Sequence, residues 1–544
     1  MRIGRIIRRA WRSTFGARIS IDSADGDSRF GRASQYRVPM LRKVLLGIVL
    51  LMVLVAAAIV LVARGVVGND TLRTTLEQQL SARLKQPVRI ARLGASFYPR
   101  VAIDLHDITI GEPAGATIAE LSVTTGLRGL LSRRVEDAEV IVSNSRIPVP
   151  VAVGIAGAVT SGPPSTSGGG VTIVSVKTLA FRHVEVVAGS RSLLIDLESS
   201  LAGDRLDISR LAARSEGTRL EAKGAMSSLA RRQGRFTATA SQLNLDEVLA
   251  VASELSSGTS AETPAAGSSS DAAAASPLDV TVALTAPGGK LGGYAFTALT
   301  TTLHVTPSSL QLQPLRFGVF GGSYDGKITV ATGSATPEVA LDGTITGLDV
   351  LTILRDTRGT SSLSGKLSGT IGVTTHGTSA DQMLAAARGK GRVTIVDGVI
   401  PGLEMVRTVV LAFGKPAGVA PGGSGSAFKE IDAAFSLANR TLHSDNLTFV
   451  SRDFDMAGAP TIHLPDGGID MHTSVRLSPE LTAQAGTDLR RYAQEDGRIV
   501  VPAVITGTVA APSVMVDVKS VVTRAFQNEV NRRVRGLLDR IIKK

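Results

Sequence analysis

Catalysis or metal binding needs nucleophiles, paired acids or ligands at workable spacing, and this sequence offers few. It has no Cys, so no thiolate nucleophile, disulfide framework or zinc-thiolate site can form. No G-x-x-x-x-G-K-[ST] occurs to cradle a nucleotide. The stretch Gly288-Gly289-Lys290-Leu291-Gly292-Gly293 lacks the following Ser or Thr and reads as a turn. There is no G-x-S-x-G and no H-E-x-x-H. His443, His463 and His472, with Asp445, Asp453 and Asp455 nearby, come closest to a cluster. Their spacing matches no metal-binding pattern, and they read as solvated residues of a polar face. Asn439-Arg440-Thr441 and Asn446-Leu447-Thr448 are formal glycosylation sequons, relevant only in a secretory pathway. The sequence is therefore read as non-enzymatic, with no catalytic residue, metal or cofactor.

The net charge of +12 could suggest nucleic acid, but its placement argues otherwise. Residues 1–43 carry +8 and residues 518–544 carry +6, which leaves −2 on everything between. A nucleic-acid binder needs its positive charge on the folded body, where phosphates dock. Here both basic ends flank apolar segments, as in proteins that meet membranes.

Val44 to Ala63 is a run of 20 residues without a charge. At ~1.5 Å per residue it spans ~30 Å, one hydrocarbon core. It is longer than the apolar region of a signal peptide and lacks a small-x-small cleavage site, so it reads as an uncleaved anchor. Arg29, Arg32, Arg37, Arg42 and Lys43 precede it, against Arg64 and Arg73 after it. That asymmetry places the N-terminus in the cytoplasm and the body outside. Met40 stands directly before the anchor and is an alternative translation start.

Beyond the anchor, Leu72, Leu76, Leu80 and Leu84 predict a short helix over Asp70–Lys85. Period-two alternation follows: Val101, Ile103 and Leu105, then Ile108 and Ile110 after an expected turn at His106–Asp107. The same texture runs through most of the chain, with Asp-Gly turn signals at 325–326, 342–343, 397–398, 466–467 and 496–497. Short helices are expected at Ala380–Arg388, Leu403–Phe413 and, more weakly, Leu481–Ala493. Residues 161–170 and 418–426 read as loops. Ser256–Ser276 holds 7 Ser and 7 Ala among 21 residues and reads as a flexible linker. The expected organisation is a basic leader (1–43), an anchor (44–63), a β-rich region (64–255), the linker (256–276), a second β-rich region (277–517) and a terminal helix (518–544).

In that last segment Val522, Phe526, Val530, Val534, Leu537, Leu538 and Ile541 fall on one helical stripe, backed by basic residues that include Arg532, Arg533 and Arg535. Such a helix lies on anionic lipid or closes the end of the sheet.

In order, these features resemble the AsmA family of Gram-negative bacteria, related to the TamB-like proteins. The resemblance rests on Phe97-Tyr98-Pro99-Arg100 with Leu105-His106-Asp107-Ile108, on Phe320-Gly321-Gly322 inside Leu315–Gly326, on Gly391–Gly402, and on Val501–Thr508. It implies a mainly β fold: a long antiparallel sheet curled into an open groove, apolar inside. It also implies a role in outer-membrane assembly or in moving phospholipid between membranes. Val101, Ile103, Leu105, Val339, Leu341, Ile345, Val393 and Ile395 are the expected groove residues. Phospholipid, the inner membrane, an outer membrane and other envelope proteins are the expected partners. The alternative is an assembly factor that holds client β-proteins by a sheet edge.

Overall fold

The computed structural model describes residues 69–516, except 85, 97–99, 112–114, 127–133, 150, 152–171, 189–190, 249–277, 333–335, 360–362, 378, 401–425, 485–492 and 510. Val44–Ala63 and the stripe on Val518–Lys544 lie outside the described residues. Among those described, no helix is long and apolar enough to cross a membrane.

The chain divides into two compact units. Among the described residues, the first runs from Asn69 to Gln313 with Ala331 and Thr332, and the second takes Pro314–Val330 and Thr336–Val516. Both are mainly β, as the alternation predicts.

The first unit opens with α1 (Asn69–Leu84) and continues through β1 (Val88–Ser96), β2 (Val101–Ile110), β3 (Ala116–Thr125), β4 (Arg134–Val135) and β5 (Ala138–Pro148). Next come β6 (Thr172–Ile173), β7 (Ser175–Ala188), β8 (Arg191–Ala202), β9 (Arg205–Arg214) and β10 (Arg219–Ser228). The last are β11 (Gln233–Asn244), β12 (Asp279–Leu291) and β13 (Tyr294–Val305). In the main sheet successive strands pair antiparallel, except that β5 with β7 and β11 with β12 are parallel; β4 and β6 form a separate two-stranded parallel sheet. A parallel pair needs a crossover of a dozen or more residues, and both exceptions fall where the sequence supplies one. The first crossover contains the 161–170 loop and the second contains Ser256–Ser276. The latter segment therefore connects neighbouring strands, and the division into units comes later, after Gln313.

Helix α1 covers the free edge of β1. Its Leu76 and Leu80 are buried in the core of β1–β7. Its polar side chains take the place of a missing strand: Val88 N–H donates to Ser81 Oγ (2.8 Å) and Ile90 N–H to Glu77 Oε1 (2.7 Å). Arg73 Nη1 donates to the Ile90 carbonyl at 3.2 Å. The backbone groups of an exposed edge strand would otherwise template aggregation.

One expected turn is absent. β2 runs straight through His106–Asp107, and Asp107 takes φ 53°. The same irregularity crosses the neighbouring strands: the row Ala91, Asp107, Ala119, Asn144, His183 is skipped by the ladders, while pairs on either side stay in register. Asn144 and His183 also have positive φ, which Asn, Asp and His tolerate better than most residues. At this crease each strand shifts its inward face by one residue, as from Leu105 to Ile108 and from Ile118 to Leu121. The apolar side therefore stays inward along the whole strand.

The second unit takes β14 (Ser309–Val319) from Pro314 onward, then β15 (Gly322–Ala331), β16 (Glu338–Asp349), α2 (Val350–Arg358), β17 (Lys366–His376), α3 (Ala380–Ala386) and β18 (Arg388–Ile400). It continues with β19 (Ser426–Ala438), β20 (Thr441–His443), β21 (Leu447–Val450), β22 (Phe454–His463) and β23 (Ile469–Leu477). It ends with α4 (Pro479–Gln484), β24 (Gln494–Glu495), β25 (Arg498–Thr508) and β26 (Ala511–Val516). Its core gathers Phe428, Phe449, Phe454, Val475, Ile499 and Val501 among others, with three rings in series.

Of the five Asp-Gly signals, 466–467 and 496–497 are turns; at the latter both residues have positive φ, as a two-residue hairpin requires. The pairs at 325–326, 342–343 and 397–398 lie inside β15, β16 and β18. There the glycines serve packing. A Cβ at Gly343 would stand 2.5 Å from the Tyr324 ring, and one at Gly398 would stand 2.2 Å from the Phe428 ring.

Candidate functional site

The eight expected groove residues separate into two environments. Val101, Ile103 and Leu105 are 0, 2 and 1 % exposed and belong to the closed core under α1, in the first unit. Val339, Leu341, Ile345, Val393 and Ile395 belong to the second unit and are all half-buried.

Strand β17 brings these five together. Its register sets Val339 beside Thr375, Leu341 beside Val373, and Ile345 beside Gly369. On its other side Leu367 meets Ile395, Gly369 meets Val393 and Ile371 meets Gly391. β19 extends the same rows: Ile431 beside Ile395, Ala433 beside Val393, Phe435 beside Gly391 and Leu437 beside Gly389. Since side chains alternate along a strand, these residues share one face. That face carries Leu, Ile, Val, Phe, Ala, Gly and a single Thr, and no charge. Ile371, Val373, Phe435 and Leu437 are half-buried members that alternation alone did not single out. Their signal was present in L-x-G-x-I-x-V from Leu367 to Val373, but glycines and threonines dilute it below the strength of a usual apolar strand.

The opposite face is polar and internally neutralised. Arg392 donates through Nε and Nη2 to the two carboxylate oxygens of Asp432, at 3.1 and 2.6 Å, and Thr394 Oγ1 donates to Asp432 Oδ2 at 2.7 Å. Arg392 holds the Asp432 carboxyl below the ordinary aspartate value, aided by Thr394, and is itself pushed up by Asp432. Asp349 accepts from Thr352 N–H as the N-cap of α2 and from Lys366 Nζ at 3.0 Å. The Thr352 bond first, then Lys366, lower its carboxyl as well.

The histidines form no cluster. His443 bonds Asp445 at 2.8 Å and Thr461 at 3.0 Å. Among the described residues no group of three or more His, Asp or Glu could hold a metal ion.

A strongly two-faced sheet, neutral on its polar side and uncharged on its half-open side, can hold an apolar ligand by burial alone. Residues 216–446, which include all of β16–β18 and the described β19 rows, match the model of the AsmA family. This region belongs to the AsmA family. No curated protein and no solved structure matches the chain. The apolar face of β16–β19 thus lies inside the AsmA region, whereas the closed core of β1–β7 lies before it.

Proposed function

We propose that the chain is a membrane-anchored envelope protein whose uncharged β16–β19 face takes the acyl chains of phospholipid for transfer between inner and outer membrane. The observation that carries this reading is the partial exposure of Leu341, Ile345, Ile371, Val373, Val393 and Phe435, all on one side of the sheet without a charge among them. A soluble protein rarely leaves so continuous an apolar surface without a ligand. Membership in a family associated with the envelope fits the same reading.

Energetics favour holding over pumping. Each CH₂ removed from water gains ~0.8 kcal/mol, so a ~16-carbon chain gains ~12 kcal/mol gross. A bilayer offers nearly the same, so passage from bilayer to sheet is close to neutral. Direction then comes from a lipid gradient or an energised partner. The sequence anchor at 44–63 supplies attachment to the inner membrane, with the body in the periplasm.

Native mass spectrometry of the full chain, purified in mild detergent, tests this. Phospholipid should be retained by the native protein and lost from Val393→Asp while the fold persists. A folded native protein that neither retains lipid nor takes up a fluorescent phospholipid would sink the proposal and favour the assembly-factor reading.

A further inference from the structure

Aromatic residues in this sheet repeatedly sit opposite glycine. Gly224 faces Phe236, Gly289 faces Phe296, Gly391 faces Phe435 and Gly398 faces Phe428, each as a direct cross-strand pair. In every pair a Cβ on the glycine would collide with the ring, at 2.2–2.7 Å. The ring therefore lies down over the bare backbone of its neighbour instead of standing away from the sheet. Aromatic cover of a strand glycine is a known stabilising arrangement, which explains the pairs but not their different surroundings.

The two pairs between β18 and β19 make the difference plain. Gly398–Phe428 and Gly391–Phe435 are seven residues apart on both strands. An odd spacing would put them on opposite faces, but Asp397 takes φ 52° and the register skips it, which shifts the phase by one and returns both pairs to the same face. Beyond this crease Phe428 is 4 % exposed and is closed in by Phe449. Before it, Phe435 stays only partly buried, on the same face as Ile371, Val373, Val393 and Leu437.

Resting on the proposed function, we infer that Phe435, laid flat on Gly391, is the floor against which an acyl chain packs, and that the crease at Asp397 is where this open track ends against the closed core. A ring held flat offers wide apolar contact without filling the space above it. Glycines at 369, 389 and 391 keep the neighbouring floor low. Phe435 is thus a positioning residue for the lipid, and Phe428 a structural one.

The chain has a single Trp, Trp11, so Trp11→Phe provides a silent background. Full-length Phe435→Trp, Val393→Trp and Ser436→Trp would each be mixed with phospholipid vesicles carrying brominated acyl chains. Trp at 435 and at 393 should lose at least half its emission, and Trp at 436, on the polar face, should lose little. Quenching at 393 without quenching at 435 overturns the inference and leaves the proposed function standing. Quenching at neither overturns both. If Trp at 435 does not fold, Phe435→Ala against Phe428→Ala decides. The inference expects the first to lower retained phospholipid at least threefold with a small shift in denaturation midpoint, and the second to do the reverse. Equal destabilisation by both, with lipid retention unchanged in Phe435→Ala, reduces the ring to a sheet stabiliser and overturns the inference.

Discussion

Val101, Ile103 and Leu105 in β2 follow the same alternation as Val339, Leu341 and Ile345 in β16, yet the first three are sealed and the second three are half-open. Composition explains part of the difference. The inward rows of β2, β3 and β5 are mostly Ile, Leu and Val, with Ala116, Thr125, Ala138 and Ser145 among them and no glycine, whereas those of β16–β18 interleave Gly343, Gly369, Gly389 and Gly391. Cover explains the rest. α1 lays Leu76 and Leu80 on the first core and bonds its edge strand, and the short α2 and α3 leave the β16–β18 rows half-buried. Alternation tells which residues share a face; what lies over that face decides whether it is core or surface.

The sharpest way to break this comparison is to place one carboxylate in each region. Ile103→Asp buries a charge with no partner and should cost more than about 4 kcal/mol, enough to prevent folding. Ile345→Asp, on the half-open face, should cost only about 1 kcal/mol and leave the transition cooperative. Urea denaturation of both variants checks this. Similar losses in the two would mean that the β16–β19 face is as closed as the β1–β7 core.

A smaller effect is expected at the crease that lets the first core stay continuous. Asn144 holds φ 50°, which a β-branched residue resists. Asn144→Val should cost about 2 kcal/mol, while Asn144→Gly should be near neutral. Thermal melting that ranks Val below Gly by several degrees supports strain at this row. Equal melting temperatures would show that the phase shift places no demand on the residue.

This row also shows how far the sequence could be read. In the sequence the spacing from Leu105 to Ile108 reads as a turn, because a single strand cannot distinguish a turn from a bulge. Only the matching jumps from Ile90 to Leu93 and from Ile118 to Leu121, aligned by register, reveal a crease. The helix at Leu76 and Leu80 and the mainly β fold were legible from periodicity. Three Asp-Gly pairs misled because their glycines answer to rings or backbone on a neighbouring strand, a long-range cause. The open face was half-legible: Val339, Leu341, Ile345, Val393 and Ile395 stood out, but Phe435 needed its pairing with Gly391. α2 was missed although Asp349 and Gly359 are a fitting N-cap and C-terminal stop. Replacing that cap, Asp349→Ala, should cost about 1 kcal/mol in denaturant unfolding, a local loss if α2 only joins β16 to β17.

The smallest expected effect lies on the polar side of the open region. Asp432 is held by Arg392 and Thr394, and Arg392 lowers its carboxyl below the ordinary aspartate value of about 3.9. A carboxylate with a lowered native pKa stabilises the fold fully above its unfolded value. That contribution is lost as the pH falls through the native value. The native protein should therefore lose stability as the pH drops below about 4, and Asp432→Asn should lose less over the same range because it has no carboxylate left to protonate. Arg392 is 65 % exposed, so water and salt screen the pair and the difference at neutral pH should be modest. Denaturation midpoints from pH 3 to pH 7, at two salt concentrations, measure it. An identical pH slope in the two proteins would show that the bond between β18 and β19 is incidental, and that the apolar rows on the other side hold these strands together without it.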